Sequence, residues 1–228
     1  MSAKAKTPAV RTRTKIFLVD DHPMMREGLA QLIAQETDLA VCGEADDAAS
    51  ALQQIIKLQP ALALVDITLR SSNGLDLIRD LRLHAPAVAI LVISMHDESL
   101  YAERVLRAGG RGYIMKQEGG KKLMQAIRHV LNGGTYVSDK ISARILDLFA
   151  GRSAEDGSPV SRLTDREFQV FELIGAGLST KEIAVRLHVS AKTVEVHRVN
   201  IKRKLKIGTA PELIRFAVRW AESQSATS

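Results

Sequence analysis

Five short apolar runs, each followed by a helical pattern, fix most of what this chain can become. "KIFLV" precedes an amphipathic stretch from Pro23 to Gln35, and "LAVCGEA" precedes "DDAASALQQIIKLQ". "ALALV" precedes "NGLDLIRDLRLH", "VAILVI" precedes "ESLYAERVLRAG", and "GYIM" precedes "GGKKLMQAIRHVLNGG". Strands that are apolar throughout belong to a parallel sheet covered on both faces. Helices between parallel strands make right-handed crossovers. The expectation is an α/β fold, a doubly wound five-stranded parallel sheet. Its ligand site should lie beyond the carboxyl ends of the strands.

The pattern then changes. A short helix over about residues 139–149 leads into "GRSAEDGSPVS", a Gly/Ser/Pro-rich linker. Beyond it no strand pattern recurs. Ser/Thr-x-x-Glu capping boxes at Thr164/Glu167, Ser179/Glu182 and Thr209/Glu212 mark helix starts, and Ser190 is a fourth N-cap. A second, all-α domain of four helices is expected. The division is a disordered basic arm over 1–14, the sheet domain over 15–132, a linker with a short helix over 133–161, and the helical domain over 162–225.

Two domains suit 228 residues, and 46% apolar content supplies their cores. The single cysteine, Cys42, excludes an internal disulfide framework and fits a reducing compartment. No apolar run approaches the ~20 residues that span a bilayer, so no membrane partner is expected. The N-terminal stretch lacks the apolar region of a secretory signal, which makes cytoplasm the expected compartment. The net charge of +6 is uneven: residues 1–14 carry 4 basic and no acidic groups, residues 15–149 carry 15 and 17, and residues 150–228 carry 13 and 9. That excess points the C-terminal part towards an anionic partner.

Three acids stand at strand ends: Asp20 and Asp21 after "IFLV", and Asp66 after "ALALV". The first and third strands of such a sheet are neighbours, so the three carboxylates converge. Like charges this close repel unless a cation joins them. Mg²⁺ takes a few carboxylates and keeps positions for phosphate oxygens. Ser94 and Lys116 end the fourth and fifth strands, a hydroxyl and an ammonium suited to a phosphate. Asp66 is the expected acceptor, because a carboxylate can form an aspartyl phosphate.

In the helical domain, Val194, Ile201 and Leu205 recur at helical spacing and should point inward. Lys192, Glu195, Val196, Val199, Lys202, Arg203 and Lys206 are left around the outward stripe. A major groove admits one helix. Lys192, Thr193, Arg198, Lys202 and Arg203 suit DNA phosphates, as does the capped start at Ser179, Thr180 and Lys181. Lys192 and Arg198 can alternatively reach base edges. Val196 and Val199 suit thymine methyls, and Glu195 can accept from a cytosine amino group or pair along its own helix. His188 and His197 lack companions at ligand spacing and are read as packing or surface residues.

"LVDDHPMMREGL", "LALVDITL…NGLDLI", "ILVISMHD" and "RAGGRGYIMKQ" resemble a bacterial response-regulator receiver domain over about residues 15–132. "DREFQVFELIGAGLSTKEIA" and "KTVEVHRVNIKRKL" resemble a LuxR-type helix-turn-helix domain, as in NarL/FixJ response regulators. The resemblance implies that Asp21 binds Mg²⁺ directly, Asp20 helps through water and the Thr68 backbone carbonyl completes the protein ligands. It implies Lys116 as the partner of the phosphoryl group, with Ser94 and Tyr113 as switch residues: Ser94 turns inward and leaves space for the Tyr113 ring. It places Thr68 and His96 beside the phosphoryl group. It further implies a sensor histidine kinase, double-stranded DNA and RNA polymerase as partners, and a homodimer when phosphorylated. In relatives the unphosphorylated receiver can cover the reading helix. The last helix, Pro211 to Trp220, is either a dimer surface or core.

Leu69 and Arg70 stand where many receivers have Met-Pro, and Gln117 where many have proline. Phosphatases that use a strand-end aspartate on such a sheet need a second aspartate two residues on; here it is Thr68, so no enzyme is expected. The competing reading is a DNA-binding regulator whose receiver is a phosphorylation-independent dimerisation module, and the intact set of five polar groups speaks against it.

Overall fold

The computed structural model describes residues 13–69, 72–150 and 159–225. The expected arm over 1–14 lies almost wholly outside the described residues, as do Arg70 and most of the "GRSAEDGSPVS" linker.

All five apolar runs are strands. They are β1 (Thr14–Val19), β2 (Leu39–Ala45), β3 (Leu62–Asp66), β4 (Ala89–Ser94) and β5 (Gly112–Met115). They pair in the order β2-β1-β3-β4-β5, all parallel. Successive side chains of a strand face opposite sides. Accordingly Ile16 and Leu18 of β1 join one apolar cluster and Phe17 and Val19 the other. The first cluster is covered by α1 (Pro23–Ala34) and α5 (Gly119–Leu131). The second is covered by α2 (Ala48–Leu58), α3 (Gly74–His84) and α4 (Glu98–Ala108). Two covered faces explain why the strands read as unbroken apolar runs.

A detail absent from the periodicity follows β3. Thr68–Leu69 and Ser72–Asn73 form a two-residue antiparallel ladder directly after the acidic strand end. Gly74 closes it. A Cβ there would stand 2.5 Å from the Asp66 carbonyl oxygen, so only glycine lets α3 start this close to Asp66.

After α6 (Asp139–Phe149) and a 3₁₀ turn at Pro159–Arg162 come α7 (Asp165–Gly175), α8 (Thr180–Arg186), α9 (Ala191–Leu205) and α10 (Ala210–Ser225). The capping boxes of α7 and α8 are closed at both bonds. Thr209 and Glu212 exchange the same pair of bonds at the start of α10, and Ser190 caps α9 by accepting from the Thr193 N–H at 3.0 Å. Val194 and Ile201 are fully buried, and Leu205 packs against the same core half-buried. The α10 alternative resolves towards core at Trp220, whose ring meets Phe168 and Phe171 edge to face at 5.6 and 5.3 Å.

Among the described residues no helix is long and apolar enough to cross a membrane.

Candidate functional site

The carboxyl ends of β1, β3, β4 and β5 bring one set of polar groups together. Asp20, Asp21 and Asp66 are buried to within 7% exposure. Lys116 reaches in just after β5 and bridges two of them, its Nζ 2.7 Å from Asp20 Oδ2 and 2.7 Å from Asp66 Oδ2. Ligand atoms of Asp20, Asp21, His22 and Asp66 all lie within 4.8 Å of one another. His22 was not singled out from the sequence, although it adjoins the acid pair; its Nδ1 lies 2.8 Å from Asp21 Oδ1 and 3.2 Å from Asp20 Oδ1.

Burial pushes the Asp66 carboxyl up, and the Lys116 ammonium pulls it back. Burial alone would lower Lys116, but Asp66 and Asp20 outweigh it and raise that pKa. Three buried carboxylates converge here, and the Lys116 ammonium meets two of them, Asp20 and Asp66. A divalent cation would offset the remaining negative charge, so the donor set fits Mg²⁺.

His96 sits over the pocket as a node. Its N–H donates to Ser94 Oγ at 3.2 Å, and its carbonyl accepts from the Tyr113 hydroxyl at 2.8 Å. Its Nε2 lies 2.9 Å from Thr68 Oγ1. Burial, with help from Lys116, lowers its pKa. Ser94 and the Tyr113 ring are both fully buried. The Tyr113 ring lies inside, its hydroxyl donating to the His96 carbonyl.

The second candidate site is α9. Val196 and Val199 are 54% and 58% exposed, and Lys192, Thr193, Glu195 and Arg203 stand open beside them. Lys202 is half-buried. Ser179 and Lys181 are exposed at the start of α8, and Thr180 is half-buried. Arg198, a candidate for DNA phosphates or base edges, is half-buried. Its side chain is only 12% exposed, its Nη1 donates to Thr180 Oγ1 at 3.4 Å, and its Nε lies 3.8 Å from Glu195 Oε1. The closer partner of Glu195 is Thr180, whose hydroxyl donates to Oε1 at 2.8 Å. Glu195 is therefore tied to α8 as well as paired along its helix, and its second oxygen has no part in these contacts. Among the described residues, the receiver leaves Val196 and Val199 of α9 exposed.

Sequence reasoning also missed a group of residues joining the two halves of the chain: Tyr101 and Arg104 on α4, and Asp165, Phe168 and Glu172 on α7. The signal available was a tyrosine and an arginine three apart on one helix, which alone names no partner.

Two family models match the chain, one over each domain. The model of the response regulator receiver domain matches residues 16–128, and that of bacterial regulatory proteins of the luxR family matches residues 161–217. The oxygen regulatory protein NreC of Staphylococcus carnosus is 32% identical over 210 residues, covering 90% of this chain and 97% of that one. NreC of Staphylococcus aureus (strain MRSA252) is 34% identical with the same coverage. In fold, the chain is similar to RcsB from Salmonella enterica serovar Typhimurium, solved bound to the rprA promoter with a phosphomimetic. The TM-score is 0.69 at 23% identity, over 91% of this chain and 99% of that one. A LuxR-family two-component response regulator from Aurantimonas, 34% identical, matches 61% of this chain with a TM-score of 0.56 and 99% of its own length. The chain thus belongs to the response regulators that join a receiver domain to a LuxR-type DNA-binding domain and regulate transcription.

Proposed function

We propose that a sensor histidine kinase phosphorylates Asp66, and that the phosphorylated chain dimerises and binds specific DNA through α9. The observation that carries this reading is the Lys116 ammonium bridging Asp20 and Asp66 beside Asp21, groups gathered from the ends of β1, β3 and β5. Residues 15–132 act as the receiver and 162–225 as the DNA-binding domain, with 133–161 between them and 1–14 as a basic arm. The protein acts in the cytoplasm as a regulator and not as an enzyme, with RNA polymerase as its partner at the promoter.

In the transfer, an Asp66 carboxylate oxygen attacks the phosphorus of phosphohistidine. The P–N bond breaks, an acyl phosphate forms, and the imidazole leaves and recovers a proton. Asp21, Asp66 and the Thr68 carbonyl would hold Mg²⁺, with Asp20 acting through water. The ion supplies positive charge to the phosphoryl oxygens. Lys116 gives up its bridge to Asp66 and pairs with the phosphoryl group instead. Ser94 offers it a hydroxyl. Intact-mass measurement after incubation with Mg²⁺ and a small-molecule phosphodonor should show one phosphoryl group gained.

Two DNA predictions follow from the side chains of α8 and α9. Binding should weaken steeply with salt, since each phosphate contact releases counterions. Replacing Lys192, Lys202 or Arg203 singly by alanine should weaken binding about equally for all sequences and reduce the log–log salt slope by about one each. Wild-type affinity that stays flat between low and physiological salt would count against groove binding. Glu195, held by Thr180, presents a fixed acceptor beside two exposed valines, a set matched to a cytosine amino group and thymine methyls. Selection from random DNA should return a different preferred sequence for Glu195→Ala than for wild type. An unchanged preference with uniformly raised affinity would assign Glu195 to helix pairing alone.

A further inference from the structure

An acid on a helix that faces DNA meets the repulsion of the phosphate backbone, so its place there needs a physical reason. Glu195 and Arg198 lie three apart on α9, close enough to pair along one face. An exposed pair of this kind is normally weak and mobile. This pair differs in two respects. The Arg198 side chain is only 12% exposed, against 57% for Glu195. A hydroxyl from another helix, that of Thr180, also stands between them. It donates to Glu195 Oε1 at 2.8 Å and accepts from Arg198 Nη1 at 3.4 Å. A hydroxyl has one hydrogen and two lone pairs, so it does both at once. Arg198 Nε closes the triangle, 3.8 Å from the same Oε1.

Both sides of this triangle stand on fixed backbone. Thr180 is the first residue of α8, and the capping box of Ser179 and Glu182 on either side of it is closed at 2.8 and 3.4 Å. Ile183 of α8 and Val194 of α9 are fully buried in one apolar cluster. Glu195 is thus restrained through one oxygen, and its other oxygen is left to accept. A carboxylate only accepts hydrogen bonds. In the major groove cytosine and adenine present amino donors, while guanine and thymine present acceptors at the equivalent place. A restrained acceptor therefore selects at one base pair. A loosely held one selects less, because it can swing away from the wrong base. The Arg198 cation beside the acid also offsets its repulsion from the DNA phosphates.

We propose that Thr180 and Arg198 are positioning residues for sequence reading: neither touches DNA, and together they hold Glu195 where it selects its base pair. This rests on α9 entering the major groove with Glu195 towards the base edges. It withdraws Thr180 and Arg198 from the phosphate contacts, and Arg198 from the base contact, that their residue types alone would allow.

The test uses the full chain with Mg²⁺ and a small-molecule phosphodonor. Affinities are measured for duplexes that carry each of the four base pairs in turn at every position of the site selected by wild type. Glu195→Ala should lose about fivefold or more of discrimination at one position. Thr180→Val, which removes the hydroxyl and keeps the shape, should relax the preference at that same position and at no other. Thr180→Ser, which keeps the hydroxyl, should retain the wild-type preference. The Thr180→Val/Glu195→Ala double variant should lose no more discrimination than Glu195→Ala alone, since residues that act through one another are not additive. The log–log salt slope of Thr180→Val should equal that of wild type, because a residue that touches no phosphate releases no counterion. Arg198→Met should relax the same position and decides the matter if a Trp220 fluorescence melt shows Thr180→Val unfolded. Wild-type preference in folded Thr180→Val and Arg198→Met, with Glu195→Ala still relaxed, would overturn the positioning role and leave Glu195 as a reader. So would additive losses in the double variant, or a salt slope lower by about one in Thr180→Val, which would make Thr180 a phosphate contact. An unchanged preference in Glu195→Ala would overturn the base reading itself, and the positioning role with it.

Discussion

Asp66→Ala should accept no phosphoryl group from any donor, a complete loss where wild type gains one. Asp66 lies 2% exposed at the end of β3, with its Oδ1 receiving the Thr68 N–H at 3.1 Å and its Oδ2 receiving Lys116. The neighbouring acids have other work. Asp20 is tied to Lys116 and its Oδ1 also receives the His22 N–H at 2.8 Å, and Asp21 is the proposed direct metal ligand. Removing the Asp66 side chain leaves Lys116 paired with Asp20, so the fold should persist. Mass measurement under the same Mg²⁺ and phosphodonor conditions checks this, with a thermal melt to establish that the variant is folded. Undiminished gain in a folded Asp66→Ala would move the acceptor elsewhere.

Phe171→Ala carries the second large effect, on stability. Phe171 is fully buried in the helical domain, with ring contacts to Phe216 at 5.8 Å and to Trp220 at 5.3 Å. Truncating a buried phenylalanine costs about 3–5 kcal/mol. A small domain has only about 5–15 kcal/mol in all. The helical domain should therefore unfold at much lower denaturant and lose DNA binding, while the receiver still takes up a phosphoryl group. Trp220 is the chain's only tryptophan, so its fluorescence reports this domain selectively. A wild-type midpoint in the Trp220 signal would mean that the ring contacts matter little.

The sheet and the pocket were legible because both follow from local pattern. Strands buried on two faces must be apolar throughout, and polar groups after such runs must gather at one end of a parallel sheet. Capping boxes announced α7, α8 and α10 for the same local reason. What stayed hidden depends on partners distant in sequence. Arg198 reads as one more basic residue of a DNA-facing helix until Thr180 of α8 is seen to receive it. Tyr113 carries no local sign that its hydroxyl donates to the His96 carbonyl. Tyr101 and Glu172, 71 residues apart, carry no local sign that they meet. The short ladder after β3 is only two residues a side, too short for any period to register.

The two halves of the chain share one apolar cluster. The receiver's second apolar cluster runs on through Tyr101 and Phe168 into the core of the helical domain. A change at the strand ends thus has a packed path to α7, and α7 shares its core with α9 through Phe168, Val194 and Ile201. Such a path acts only if the phosphorylated state makes different contacts from the unphosphorylated one.

The most direct measurement is the affinity of the full chain for a selected paired DNA site, with Mg²⁺ and with or without the phosphodonor, in wild type and Asp66→Ala. Wild type should tighten by about 5–150-fold on phosphorylation, the usual span of coupling between sites, and Asp66→Ala should not respond. Equal affinity of phosphorylated and unphosphorylated wild type, or an equal response in Asp66→Ala, would contradict the account.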